Sequence, residues 1–293
     1  MYRLFLLLLA PLALLSCKPA TAPVQDADPA LWVVRDADTT IYLFGSVHAL
    51  KPGTGWFDEG VKSAFDRSGE LMLELVLPPE AEIAAMLREL GTLPPGKTLS
   101  QQVPPELYAR LRTALVVAGQ KPDMLDGYEP WLAAIQLAVT PGRAAGYDSA
   151  YGVETVLARA AAAAGKRVSG LETAREQFGI FDTLSPAAQQ VLLEQAIDGV
   201  GSGGAMLDRI VAAWAKGDVD TLAGLMNRDL LGSPELAQAL LVKRNKRWAA
   251  LIDARMKRPG TVFVAVGAGH LAGDAGLQVE LARRGYRIGR VAY

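Results

Sequence analysis

The sequence predicts an α/β fold: a mixed sheet built from N- and C-terminal strands, with a largely helical middle. Three observations predict it. Short β-branched and aromatic runs bounded by glycine stand at residues 41–44 and 262–266, near opposite ends of the 293-residue chain. Between residues 79 and 256 apolar residues recur mostly at helical spacing, broken by one short strand pattern. Both terminal runs lead into the same word, Gly-x-x-His: Gly45-Ser46-Val47-His48 and Gly267-Ala268-Gly269-His270. These are the only two histidines.

Taken in order, residues 1–17 read as a lipoprotein signal peptide. Arg3 gives a basic start, the apolar run after it is too short to span a bilayer, and Leu14-Leu15-Ser16-Cys17 resembles the word at which cysteine is lipidated. Cys17 is the sole cysteine, so the chain offers no disulfide and no other thiol for a metal or a nucleophile. Residues 18–30 are polar and Pro-rich, as a flexible tether requires, and the domain proper is expected over 31–293. That places it in the cell envelope, periplasmic or surface-facing, with Lys18 leaning toward the outer membrane.

Residues 31–35 and 40–44 predict a hairpin turning at Asp36-Ala37-Asp38. A helix over 58–67 with Asp58 as N-cap comes next, then a strand over 70–77 stopped by Pro78-Pro79. Helices are expected at 79–90, 104–117, 124–139 and 151–164, and a strand at 166–171. Further helices are expected at 173–183, 186–197, 205–216, 219–226 and 234–256. The chain closes with a strand at 262–266, a helix at 274–284 and a strand at 286–291. The shared word at two strand ends hints at a duplicated strand–loop–helix unit.

The charge balance, 30 basic against 31 acidic residues, and the lack of a basic stripe exclude nucleic acid as a partner. Gly267-Ala268-Gly269-His270-Leu271-Ala272 fits the dinucleotide fingerprint, but the next strand ends in Arg290-Val291-Ala292-Tyr293 without the acid that motif needs. No Gly-x-Ser-x-Gly elbow exists. Two imidazoles at strand ends, with a carboxylate, make a site for a divalent metal such as Mn, Co or Zn. The carboxylate is Glu74, set in an otherwise apolar strand, where it needs a metal or a partner. The other reading is an edge strand with Glu70 and Glu74 facing water. For the histidines it is a structural role in their loops.

Together these residues resemble the TraB/GumN family, which includes the TIKI-type membrane-anchored proteases. The resemblance rests on Phe44 to His48, the strand ending at Glu74, Gly152-Val153-Glu154, Gly170-Leu171-Glu172-Thr173 with Gln177, Arg244-Asn245, Val266 to Leu271 with Gly273, and Leu281 with Gly285-Tyr286. The family more often carries Asp where Glu154 stands. It implies a fold related to erythromycin esterases and to haem-uptake proteins of the ChaN type. It also implies metal-dependent proteolysis centred on the two Gly-x-x-His words and a Glu.

The lead expectation is therefore a lipid-anchored hydrolase of peptide or related amide bonds. His48, His270 and Glu74 hold the metal, or Glu74 is instead the base. Glu154, Glu172 and Asn245 orient the ligands from behind, and Arg244 steadies an oxyanion or a substrate carboxylate. The rival is a protein that sequesters a peptide or haem in the same cleft without turnover.

Overall fold

The computed structural model describes residues 25–293. The signal peptide, the lipidation of Cys17 and most of the tether lie outside the described residues. The first hairpin forms as expected: β1 (Leu31–Arg35) pairs antiparallel with β2 (Thr39–Ser46), Leu31 opposite Phe44 and Arg35 opposite Thr40. The Asp36 carboxylate accepts the Thr39 amide at 2.8 Å and closes the turn. Four more strands complete the sheet: β3 (Glu70–Leu75), β4 (Arg167–Glu172), β5 (Gly260–Gly267) and β6 (Ile288–Arg290). A parallel pair of two-residue strands, Gln25–Asp26 and Thr54–Gly55, stands apart from it.

The six strands run in the order β4-β3-β5-β2-β1-β6. β4, β3, β5 and β2 are mutually parallel, so their carboxyl ends share one edge. The chain leaves β2 through helix α1 (Glu59–Arg67) and enters β3, skipping the position that β5 fills much later. In open α/β sheets ligands bind at such a reversal of strand order, outside the carboxyl ends. Alternate residues of the central strands bury on opposite faces. Tyr42, Phe44, Phe263 and Ala265 pack with Trp56, Phe65 and Trp214 on one side. Ile41, Leu43, Val262 and Val264 pack with Trp248 and Ile252 on the other. Burial on both faces explains why these strands read as continuous apolar runs.

The middle is helical as expected. Between β3 and β4 come α2 (Glu80–Gly91), α3 (Pro105–Val117), α4 (Pro130–Ala138) and α5 (Val153–Ala163). After β4 come α6 (Ala174–Asp182), α7 (Pro186–Gly199), α8 (Gly203–Ala215) and α9 (Lys243–Met256), and α10 (Leu277–Arg283) precedes β6. Leu107, Leu111, Ala133, Leu137 and Leu193 form a satellite core between α3, α4 and α7.

Some boundaries move for local reasons. The helix expected from residue 124 starts at Pro130, because proline disfavours a helical residue before it and Asp126 is drawn off by the Tyr108 hydroxyl at 2.5 Å. Asp58 precedes α1, but its side chain caps nothing. The two helices expected at 219–226 and 234–256 each contain a π turn, Ala223–Asn227 and Gln238–Val242. Each widened turn rotates the residues C-terminal to it relative to an ideal helix, and each stands at a site residue, Asn227 and Arg244.

Candidate functional site

His48 lies two residues past the end of β2. Its Nδ1–H donates to Glu154 Oε1 at 2.7 Å, and the Ser46 hydroxyl donates to the same oxygen at 2.6 Å. Glu154 stands in the first turn of α5, and that helix start is clamped to the histidine loop. The Val153 amide donates to the Val47 carbonyl at 3.1 Å, and Leu50 pairs with Asp148. Gly152 is glycine for a steric reason: a Cβ there would sit 2.1 Å from the His48 carbonyl oxygen. The His48 side chain is 74% exposed above a largely covered Glu154. The Glu154 charge and hydrogen bond lift the His48 pKa to about 9, so the ring is an imidazolium at neutral pH. Burial works against ionisation of Glu154, but His48 and Ser46 outweigh it and lower its pKa.

A second, buried half centres on Arg244. Its Nε donates to Glu172 at 3.0 Å, Nη1 to the Leu240 carbonyl at 3.3 Å and to His270 Nε2 at 3.2 Å. Nη2 donates to Glu172 at 2.8 Å and to Glu74 Oε1. That engages every N–H a guanidinium has. Its plane lies over the Trp248 ring, 4.7 Å from the centroid. Glu172, fully buried at the end of β4, also accepts Arg247 at 2.5 Å and Trp248 Nε1 at 3.0 Å.

Glu74 resolves the alternative left open for it. β3 is an interior strand, between β4 and β5, and both Glu70 and Glu74 are buried. Glu70 is paired with Arg167 and Arg255 at the opposite end of the strand. Glu74 accepts Gln177 at 2.6 Å and, on Oε2, the Gly267 amide at 3.0 Å. Burial works to raise its pKa, but the Arg244 guanidinium, with the His48 imidazolium and the Gly267 amide, outweighs burial and holds it at about 2. His270 stands in the 3-10 turn Ala268–Leu271 after β5. Its Nδ1–H donates to Asn245 Oδ1 at 2.7 Å, which leaves Nε2 as the acceptor facing Arg244. Burial holds its pKa down at about 3, so this ring is neutral.

The fold therefore brings Ser46, His48 and Glu154 to one side of the carboxyl edge and Glu74, Glu172, Arg244, Asn245 and His270 to the other. The register of β2 against β5 sets Ser46 beside Gly267, so the two Gly-x-x-His words leave neighbouring strand ends. Glu154, Glu172 and Asn245 do orient neighbours: Glu154 holds His48, Glu172 holds Arg244, and Asn245 holds His270. The arrangement departs from two expectations. Arg244 has no N–H left for an oxyanion. The metal set His48, Glu74 and His270 is not assembled: among the described residues no three His, Cys, Asp or Glu side chains are gathered to hold a metal ion. The reason is Arg244, which occupies the facing lone pairs of Glu74 and His270. The residues as arranged do not fit a metal.

Two functional residues escape a reading of the sequence. Asn227, buried in the π turn, donates to the Gly269 and Ala272 carbonyls at 2.9 and 3.2 Å and braces the His270 turn. Its signal was a lone amide after Leu225-Met226, just beyond the expected helix end. Trp214 Nε1 donates to the Gly45 carbonyl at 2.7 Å and fixes the other word. Beside Arg244 opens a pocket of about 340 Å³, lined by Ile180, Leu184, Gln238, Lys243 and Arg247. None of the described helices is long and apolar enough to cross a membrane.

The model of the TraB/PrgY/gumN family matches residues 30–290. Among similar proteins is "Metalloprotease TIKI1" of Danio rerio, 26% identical over 93% of this chain and 65% of that protein. "Metalloprotease TIKI homolog" of Amphimedon queenslandica is 25% identical over 89% of this chain and 61% of its own length. The chain thus spans less than two thirds of these two relatives. "Uncharacterized protein YbaP" of Escherichia coli (strain K12) is 23% identical over 85% of this chain and 90% of its length. No solved structure gives a significant match.

Proposed function

Because the chain belongs to the TraB/PrgY/gumN family, we propose that it is a hydrolase of peptide or related amide bonds. One observation carries the reading: His48, an exposed imidazolium backed by Glu154, follows β2, and the buried Glu74–Arg244–His270 cluster lies at the ends of β3 and β5 on the same carboxyl edge of the sheet. Two relatives are named as metalloproteases, which supports the reaction class.

The division of labour comes from the protonation states. His48, cationic at neutral pH, donates its proton to the leaving nitrogen as the carbon–nitrogen bond breaks. Glu74 Oε2 accepts the Gly267 amide and keeps a lone pair with which to orient the attacking water. The proton released by that water returns to His48, so the ring ends as it began. Arg244 keeps Glu74 ionised and holds Glu172 in place rather than touching the substrate. The pocket beside Arg244 takes a neighbouring part of the peptide.

The chain is incubated with a mixed peptide library, and cleavage is read by mass spectrometry beside His48→Ala and Glu154→Gln. New termini that disappear with His48→Ala bear the reading out. Saturable binding with every peptide recovered intact gives the site to sequestration instead. The proposal extends to the envelope through a lipid on Cys17, with the domain periplasmic or surface-facing. Labelled palmitate incorporated by the full chain and lost in Cys17→Ala tests that anchor.

A further inference from the structure

We propose that Arg244 is the resident cation of this site, and that the chain takes no divalent metal among Glu74, Glu172, His48 and His270. Which cation fills the site and whether the site hydrolyses are separate questions, and either answer can fail alone.

A metal centre needs lone pairs that converge on an unfilled point. Here they converge on a guanidinium. Glu172 turns both oxygens to Arg244, Glu74 gives it Oε1, and His270 gives it Nε2. Asn245 fixes His270 in the tautomer that presents Nε2, an arrangement that serves a metal and an arginine equally. What distinguishes them is the anchoring of the cation. Arg244 is 8% exposed, stacks on Trp248, and is tethered to the carbonyl of Leu240 one turn back. It stands in the first turn of α9, directly after the π turn Gln238–Val242, so the widened turn sets the direction in which it enters the site.

Charge gives a second argument. Glu74 and Glu172 are balanced by Arg244 and Arg247. A divalent ion added to these already paired carboxylates brings two further positive charges into a buried place, against a guanidinium already in contact. A metal enters only if Arg244 leaves, and its departure strands several hydrogen bonds.

The full chain, stripped with chelator, is titrated with Co²⁺, Zn²⁺ and Mn²⁺. Bound metal is counted after gel filtration, and the two imidazoles are followed by ¹⁵N NMR, where the chain gives only two histidine spin systems. The wild type is expected to retain far less than one equivalent, with both rings unshifted. Arg244→Gln is expected to take up a metal and to be stabilised by it, since Glu74 and His270 Nε2 then lack a cation and Glu172 keeps only Arg247. One equivalent in the wild type, lost in the His48→Ala/His270→Ala double variant, overturns the proposal. So does a folded Arg244→Gln that takes up nothing. If Arg244→Gln is recovered only as aggregate, the wild-type titration decides: shifted imidazoles overturn the proposal and unshifted ones uphold it.

Discussion

Gly152 shows how a single residue without a side chain builds the site. Its α-carbon lets the start of α5 press against the His48 carbonyl, and that contact brings Glu154 under the imidazole. Gly152→Ala forces the new Cβ against the His48 carbonyl, which can yield only by moving backbone. It is expected to destabilise the chain by about 1–3 kcal/mol in urea unfolding and to shift the His48 resonances more than those of His270. Glu172 is the opposite case, a side chain with many dependants. Glu172→Ala leaves two N–H groups of Arg244 and the Trp248 N–H buried without their acceptor, and is expected to cost about 3–5 kcal/mol. Loss under about 1 kcal/mol would show that the network is not organised as described.

The titrating groups set a pH window with a definite sign. His48 is raised from 6.5 to about 9, so its contribution is complete below 6.5 and declines as pH rises through 9. His270 is lowered to about 3, so the native state resists a proton the unfolded chain accepts, and stability falls as pH drops below 6.5. Glu74, lowered from 4.5 to about 2, adds to the acid-side loss below 4.5. Stability is therefore expected to peak near pH 6.5. His48→Gln flattens the alkaline limb of a melting-temperature profile and leaves the acid limb standing.

At the scale of elements, what the sequence disclosed depended on whether the signal was local. The strands of the two Gly-x-x-His words were legible because burial on both faces leaves unbroken apolar runs bounded by glycine. Glu74 and Glu172 were legible as acids at strand ends. The partnership of Arg244 with both was not, since its neighbours Lys243, Lys246 and Arg247 give the run the look of a solvated helix face. Only the π turn before it directs the guanidinium inward, and a widened turn leaves no mark in apolar spacing. Asn227 was hidden in the same way. The role of the turn is testable by deleting Ala239, which restores ordinary helical phase and rotates Arg244 by about 100°. A large fall in melting temperature is expected, whereas deleting Gln120 in the exposed turn after α3 is expected to change little. Equal effects would sink the argument.

For the whole molecule the governing fact is that β5, from near the end of the chain, separates β2 from β3, both from near its start. The sheet cannot close until almost the full length is available. Contacts of such sequence separation slow folding and leave strand edges unpaired meanwhile. A chain ended before Gly260 is expected to lose cooperative thermal unfolding and to aggregate, although every helix through α9 remains encoded. A soluble, cooperatively melting fragment would contradict that assembly order. The same topology makes the site late: neither the His270 turn nor the Gly267 amide that Glu74 accepts exists until β5 is in place.

Trp248 lies 4.4 Å from the His270 ring, stacks on Arg244, and donates to Glu172. An indole in contact with three members of one charge network senses their rearrangement in its emission. Trp248→Phe, subtracted from the wild type, isolates that signal from the other four tryptophans. Entry of a ligand into the cleft can thus be followed optically, before any substrate is known, by the chain's own chromophore.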